Sequence, residues 1–189
     1  MVRSEFTFLS ADGRTPIHAV EWLPEGPVRA VLQISHGVAE YILRYEPFAA
    51  YLTERGFAVV GHDHLGHGAS VAEGAPRLYF GPKGSWDWVV EDLYTRRCLA
   101  GKRFPGVPYF LLGHSMGSFL ARTYLIRYPG TVVGAVIMGT GHMPSAVVTA
   151  GQLFAPGDPQ GGRDLPQRRR DEAVLRHLQP RLCPQPHRL

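Results

Sequence analysis

The stretch that decides the fold is residues 109–130, which read YFLLGHSMGSFLARTYLIRYPG. It opens on an apolar run typical of a buried strand, and residues 118–128 have the spacing of a helix that ends before a Pro-Gly pair. The connection between them, residues 113–117, is a G-x-S-x-G sequence. The order of strand, tight turn and helix predicts that Ser115 is a nucleophile raised at the carboxyl end of a sheet.

The chemistry of a serine nucleophile explains the spacing of this turn. Gly113 and Gly117 allow strand and helix to approach each other without Cβ clashes around a strained Ser115. The N-terminus of the following helix favours the negative charge that develops on an acyl oxygen. The alternative is a glycine-rich turn without a catalytic role. The position between a strand and a helix favours the nucleophile.

An oxyanion hole requires two backbone N–H donors. Met116, the residue after the serine, is the first candidate. The second is Val38, in the sequence SHGVAEYILRY (residues 35–45) that follows the third predicted strand. His36 and Gly37 end that strand. We interpret His36 as hydrogen-bonded support for the loop, with a role as catalytic base as the alternative.

Strands and helices alternate through the first 150 residues. The first two predicted strands alternate polar and apolar residues, which indicates an antiparallel pair, whereas the third is apolar on both faces, as in a buried parallel strand. The expected strands are residues 4–10, 17–23, 30–35, 57–61, 109–113 and 132–139. This alternation predicts an α/β fold with a doubly wound, mostly parallel sheet of about six strands.

Three helices are expected between these strands, at residues 46–56, 86–104 and 118–128. The first places Phe48, Tyr51 and Leu52 on one face. Ser85 is the expected N-cap of the second.

Three segments together resemble one known family: SHGVAEYILRY, DHLGHGAS (residues 63–70) and LLGHSMGS (residues 111–118). They resemble the monoacylglycerol lipase and lysophospholipase branch of the serine α/β-hydrolases, which has a serine aminopeptidase S33-like domain, over about residues 5–150. The resemblance implies hydrolysis of a carboxylic ester, a monoacylglycerol or lysophospholipid, without a metal or organic cofactor. A related serine peptidase or thioesterase is the neighbouring alternative. In the implied site Ser115 is the nucleophile, Val38 and Met116 form the oxyanion hole, and His36, Gly37, Gly113, His114 and Gly117 support it.

Histidines and an aspartate cluster in GHDHLGHGAS, residues 61–70. His62, Asp63, His64 and His67 are residue types that bind zinc. The cluster follows a strand in a glycine-rich loop, and no further ligand group matches it. The sequence therefore favours a structural role in the loop over a metal site.

The composition changes at Gly151. Residues 151–189 contain six prolines, four glycines and no strand pattern. In α/β-hydrolases the acid and the histidine of the triad follow the serine along the chain. Asp158, Asp164 or Asp171 with His177 or His187 have this order, but no predicted strand holds them near the serine.

The domain boundaries follow from this change. Residues 1–150 are interpreted as the N-terminal part of an α/β-hydrolase domain that lacks the last two strands of the family, and residues 151–189 as an irregular tail outside the fold. His142 comes too early for the usual triad histidine. Activity is therefore expected to be impaired, and an inactive module that binds an acyl ligand or a partner is the alternative. The sixth strand is expected at the sheet edge, where it favours self-association.

Charge and composition limit the partners. The net charge is +4, but residues 151–189 carry seven arginines and four acidic residues, so the preceding part is nearly neutral. Without an accompanying aromatic and basic face, these arginines do not indicate nucleic-acid binding. Two cysteines form no disulfide framework, and neither a signal-peptide pattern nor a run of about 20 apolar residues is present. A cytoplasmic protein with at most transient contact with a membrane surface is expected.

Overall fold

The computed structural model describes residues 1–82, 84–142 and 144. Strands and helices alternate along these residues after an initial strand pair. The strands are β1 (Val2–Leu9), β2 (Pro16–Leu23), β3 (Ala30–Ser35), β4 (Phe57–His62), β5 (Tyr109–His114) and β6 (Gly134–Met138). The helices are α1 (Glu46–Thr53), which follows a 3₁₀ turn (Ile42–Tyr45), α2 (Trp86–Arg103) and α3 (Met116–Arg127).

All six strands form one sheet in the order β1-β2-β4-β3-β5-β6. β1 pairs with β2, and β2 with β4, in antiparallel fashion, whereas β4, β3, β5 and β6 are parallel. The predicted α/β fold with a mostly parallel sheet is confirmed, as is the antiparallel start. The carboxyl ends of β3, β4 and β5 meet at the same edge of the sheet, which is where parallel α/β sheets place their sites.

Helices cover both faces of the sheet. On one face α2 and α3 pack against Ile17 and Leu111, and on the other α1 packs against Val59 and Leu112. Every residue of β3 is buried, because it lies in the middle of the sheet between two layers. This burial explains why β3 is apolar on both faces.

Of the three residues predicted on one face of α1, only Leu52 packs against the core. Ala49 and Thr53 are the buried residues of this helix, whereas Phe48 and Tyr51 are exposed. The ring of Tyr51 lies on the surface, with the Arg55 guanidinium 3.6 Å from its centroid. The apolar spacing predicted the helix correctly but did not indicate which side meets the sheet.

Ser85 is the N-cap residue of α2, as predicted, but its side chain makes no capping hydrogen bond. Its backbone is already helical, with φ −66° and ψ −12°, whereas a capping serine needs an extended conformation. The Ser85 carbonyl instead accepts the Trp88 N–H at 3.1 Å.

β6 forms one edge of the sheet in the part of the chain that the structure describes. The side chains of Val136 and Met138 are 51% and 45% exposed. None of the described helices has the length and apolar character needed to cross a bilayer. The predicted tail, residues 151–189, lies outside the described residues.

Candidate active site

The turn between β5 and α3 is strained at its serine. Ser115 has φ +51° and ψ −118°, a conformation that is costly for any residue with a Cβ. Its N–H donates to the Met138 carbonyl at 2.9 Å. Its own carbonyl accepts the Ser118 N–H at 2.9 Å and the Ser118 hydroxyl at 2.6 Å. β6 and the first turn of α3 therefore hold the strained backbone in place.

The two glycines of the turn are required by close backbone approach. A Cβ on Gly113 would lie 2.4 Å from the Gly117 carbonyl oxygen, and one on Gly117 would lie 2.0 Å from the Ser35 carbonyl oxygen. Backbone atoms at these distances cannot move aside as a flexible side chain would. α3 therefore begins directly against the end of β3, and Ser115 stands at the junction of the two.

The predicted oxyanion donors flank this junction. Met116 is the first residue of α3, so its N–H has no partner within the helix. Val38 follows Gly37 at the end of β3, and its side chain is exposed. A Cβ on Gly37 would lie 3.2 Å from the Ser115 Cβ, which shows that the loop after β3 lies against the serine.

Among the described residues, the Ser115 hydroxyl makes no hydrogen bond.

His36 is buried and uses both ring nitrogens within the loop. Nδ1–H donates to the Gly37 carbonyl at 2.8 Å, and Nε2 accepts the His64 N–H at 3.0 Å. Burial lowers the pKa of His36 to about 4, so the ring is neutral at pH 7, as these two bonds require. His36 thus connects the end of β3 to the loop after β4.

The other histidines form a buried cluster around His36. The ring centroids of His36 and His64 are 4.1 Å apart, and those of His62 and His64 are 5.1 Å apart. Burial lowers the pKa of both His62 and His64 well below the usual range. In the part of the chain that the structure describes, no group of three or more His, Cys, Asp or Glu side chains could hold a metal ion.

Asp63 organises the loop in which this cluster lies. Its carboxylate accepts the Ile42 N–H at 2.6 Å and the Ala69 N–H at 2.9 Å, and it lies 2.9 Å from His18 Nδ1. One side chain thereby joins β2, the 3₁₀ turn before α1 and the loop after β4. These contacts indicate that Asp63 fixes the conformation of the loops that it joins.

Sequence reasoning missed a second polar group at the site, formed by Glu40 and Tyr45 with His114. Glu40 Oε2 accepts the Tyr45 hydroxyl at 2.8 Å and the Gly37 N–H at 3.3 Å. His114 Nδ1 lies 3.2 Å from Glu40 Oε1 and 3.2 Å from the Tyr45 oxygen. The sequence contained one signal for this group. Glu40 is an acidic residue three positions after Gly37, in the loop whose backbone approaches the serine.

Opposing effects act on the Glu40 carboxyl group. Burial alone would raise its pKa, but the hydrogen bonds from Tyr45 and the Gly37 amide, together with nearby His114, lower it below the ordinary value. Glu40 is therefore ionised at pH 7.

The predicted triad candidates lie outside the described residues. They are Asp158, Asp164, Asp171, His177 and His187. His142 is described and is exposed to solvent.

The family profile for serine aminopeptidase, S33, matches residues 26–157. The chain belongs to this family. It is 33% identical over 181 residues to the monoacylglycerol lipase of Mycolicibacterium smegmatis, covering 92% of this chain and 62% of that protein. It is 35% identical over 130 residues to the monoglyceride lipase of Homo sapiens, covering 69% of this chain and 41% of that protein. The chain thus spans less than two thirds of the length of these curated relatives.

A solved structure agrees with these sequence matches. A thermostable carboxyl esterase from Bacillus coagulans, crystallised with glycerol, superimposes with a TM-score of 0.67 at 28% identity, covering 96% of this chain and 51% of the esterase. The resemblance to the monoacylglycerol lipase branch of the serine α/β-hydrolases is therefore confirmed.

Proposed function

We propose that this chain carries the nucleophilic centre of a carboxylic-ester hydrolase that acts on monoacyl lipids, either monoacylglycerols or lysophospholipids. The observation that carries the proposal is the backbone of Ser115, held at φ +51° between β5 and α3. Strain of this kind persists only where the surrounding structure imposes it, and it collects at catalytic residues. The kinship with monoacylglycerol lipases and the fit to an esterase support the substrate class.

In the proposed reaction Ser115 Oγ attacks the acyl carbon of the ester, and a general base accepts the hydroxyl proton. The carbonyl electron pair moves onto the oxygen, and the Val38 and Met116 N–H groups stabilise that oxyanion. The intermediate collapses, the C–O bond to the glycerol portion breaks, and the leaving alcohol takes the proton from the base. Water then attacks the acyl-serine in the same way and releases a fatty acid and the free hydroxyl.

The source of the general base separates two candidate functions. Within residues 1–82, 84–142 and 144 no imidazole or carboxylate is hydrogen-bonded to the Ser115 hydroxyl. A base supplied by residues outside this set gives an active esterase. Without one, the chain is a module that binds an acyl ligand. Its rate of hydrolysis would exceed that of the uncatalysed reaction in water by only about 10³- to 10⁴-fold, because only the oxyanion hole and binding remain.

A fluorophosphonate probe tests the proposal. Such a probe phosphonylates an activated serine, so wild-type protein is expected to gain one adduct on Ser115, located by intact mass and peptide mapping. Ser115→Ala should gain none. Ser4→Ala is the matched control, because Ser4 lies in β1 and its hydroxyl has no hydrogen-bond partner among the described residues. Its labelling rate should equal that of wild type.

Hydrolysis of a monoacylglycerol and a lysophospholipid by the same samples then identifies the ester. Absence of labelling in wild-type protein that unfolds cooperatively would reject the esterase and favour the binding module. Labelling without turnover would reject only the proposed substrate class.

A further inference from the structure

The loop after β3, residues 36–41, contains a second strained residue. Ala39 has φ +55°, which is unfavourable for a residue with a Cβ. As at Ser115, the surroundings must hold this conformation. The Gly37 N–H, two residues earlier, is bonded to the Glu40 carboxylate, the next residue after Ala39. This side chain therefore closes the turn around the strained position.

The same carboxylate also reaches the serine turn. Glu40 Oε1 lies 3.2 Å from Nδ1 of His114, the residue immediately before Ser115. Because the Tyr45 hydroxyl donates to Glu40 Oε2 at 2.8 Å, its oxygen is free to accept from His114 Nδ1–H at 3.2 Å. One carboxylate and one phenol thus join the two strained turns of the site.

These groups converge close to the serine. The position of a Cβ on Gly37 lies 3.2 Å from the Ser115 Cβ and 3.3 Å from Glu40 Oε1. Since Glu40 occupies the Gly37 N–H, that amide is not available to an oxyanion. The next amide in the loop, that of Val38, is then the one left for this purpose.

We infer that Glu40 is a positioning residue, which holds the loop after β3 against the serine turn so that Val38 presents its N–H to the oxyanion. The inference rests on the proposed function of Ser115. Glu40 acts through Gly37, Tyr45 and His114, and it does not itself contact the reacting atoms.

Two readouts test the inference. The first is hydrogen exchange of the Gly37 amide, followed by NMR on protein with ¹⁵N-labelled glycine. Exchange should be slow in wild type and at least tenfold faster in Glu40→Ala. In Glu40→Gln it should be intermediate, because the amide oxygen of glutamine still accepts a hydrogen bond, but without the charge.

The second readout is the rate of phosphonylation of Ser115, resolved into probe binding and the chemical step. Glu40→Ala should slow the chemical step by about 10²-fold, as expected for misplacement of a catalytic group by about 1 Å, and leave probe binding unchanged. Tyr45→Phe should give a smaller loss of the same kind. A purely structural role of Glu40 would not slow the chemical step while leaving probe binding unchanged.

Controls keep the two proposals distinguishable. Glu54→Ala is the matched control, since Glu54 lies just after α1 with its side chain 76% exposed, and it should leave both readouts unchanged. If wild-type protein is not phosphonylated, the proposed function fails, and Gly37 exchange still decides the inference. Unchanged Gly37 exchange in Glu40→Ala, or an unchanged chemical step in a labelled sample, would overturn it. If Glu40→Ala does not fold, Glu40→Gln and Tyr45→Phe supply both readouts.

Discussion

The backbone of Ser115, at φ +51° and ψ −118°, is one that glycine adopts without strain. For a residue with a Cβ this strain costs about 1–3 kcal/mol, and replacing the serine by glycine removes it. The added flexibility of glycine in the unfolded chain cancels about 0.4–1 kcal/mol of the gain. We therefore predict that Ser115→Gly is more stable than Ser115→Ala by about 1 kcal/mol, although neither variant reacts with a fluorophosphonate. Urea unfolding of the two variants measures the difference.

The same pair of substitutions in β1 provides the control. Ser4 lies in a regular strand, where glycine is less favourable than alanine because it loses more conformational entropy on folding. Ser4→Gly should thus be less stable than Ser4→Ala, the reverse of the order at Ser115. The same order at both positions would show that the turn at Ser115 is not strained.

At this scale the sequence predicts the position of the serine but not its surroundings. Gly113, Ser115 and Gly117 form a local pattern whose spacing is dictated by backbone geometry, so it is visible in a single sequence. The contact of Glu40 with His114 joins residues 74 positions apart in the chain. No local pattern reports such a contact, because it depends on how β3 and β5 pair in the sheet.

At the scale of elements, periodicity predicts the strands well and the helix faces less well. β3 is found at the predicted residues, 30–35, whereas β6 is shorter than predicted and comprises Gly134–Met138. α1 forms where expected, but its small residue Ala49 faces the sheet and its aromatic Tyr51 faces solvent. The spacing of apolar residues along a helix is the same whether a side chain packs in the core or, like Tyr51, lies against an arginine on the surface.

β6 leads to a prediction about association. It pairs with β5 on one side, and on the other it is the edge of the sheet in the described residues. Edge strands with apolar side chains favour pairing with another chain, and a lysine there opposes it. We predict that wild-type protein associates increasingly with concentration and that Val136→Lys reduces this association, as measured by sedimentation velocity.

The control for this prediction adds the same charge elsewhere. Ile126 lies on α3, 81% exposed, so Ile126→Lys changes the net charge equally without altering a strand. It should associate as wild type does. An equal effect of both lysines would assign the change to net charge, and association unaffected by Val136→Lys would show that β6 is not the contact.

For the whole molecule, the buried histidines determine how stability depends on pH. Burial lowers the pKa of His36 to about 4 from the ordinary value of 6.5, and it lowers those of His62, His64 and His67 as well. Below about pH 6.5 the unfolded chain binds more protons at these rings than the folded chain does. The free energy of unfolding should therefore decrease as the pH falls from 6.5 towards 4, by about 3 kcal/mol through His36 alone.

One buried carboxyl group acts in the opposite direction. Burial raises the pKa of Asp92 to about 7 from the ordinary value of 3.8. The folded chain therefore binds a proton there that the unfolded chain lacks, so this contribution to stability is present in acid and is lost as the pH rises through 7. His18 acts in the same direction as Asp92, because burial alone would lower its pKa but hydrogen bonds with Glu5 and Asp63 raise it. Among the described residues, the four histidines with lowered pKa values oppose these two groups, so the net effect is destabilisation in acid.

His62 isolates one part of this effect. Its ring is fully buried, and neither nitrogen has a hydrogen-bond partner among the described residues. Replacing it with leucine removes one group that the unfolded chain protonates, so the slope of unfolding free energy against pH should decrease by up to about 1.4 kcal/mol per pH unit between pH 6.5 and 4. Urea unfolding at a series of pH values measures this slope. His142→Leu, at an exposed position, should leave the slope unchanged, and equal slopes in all three proteins would mean that His62 is protonated in the folded state.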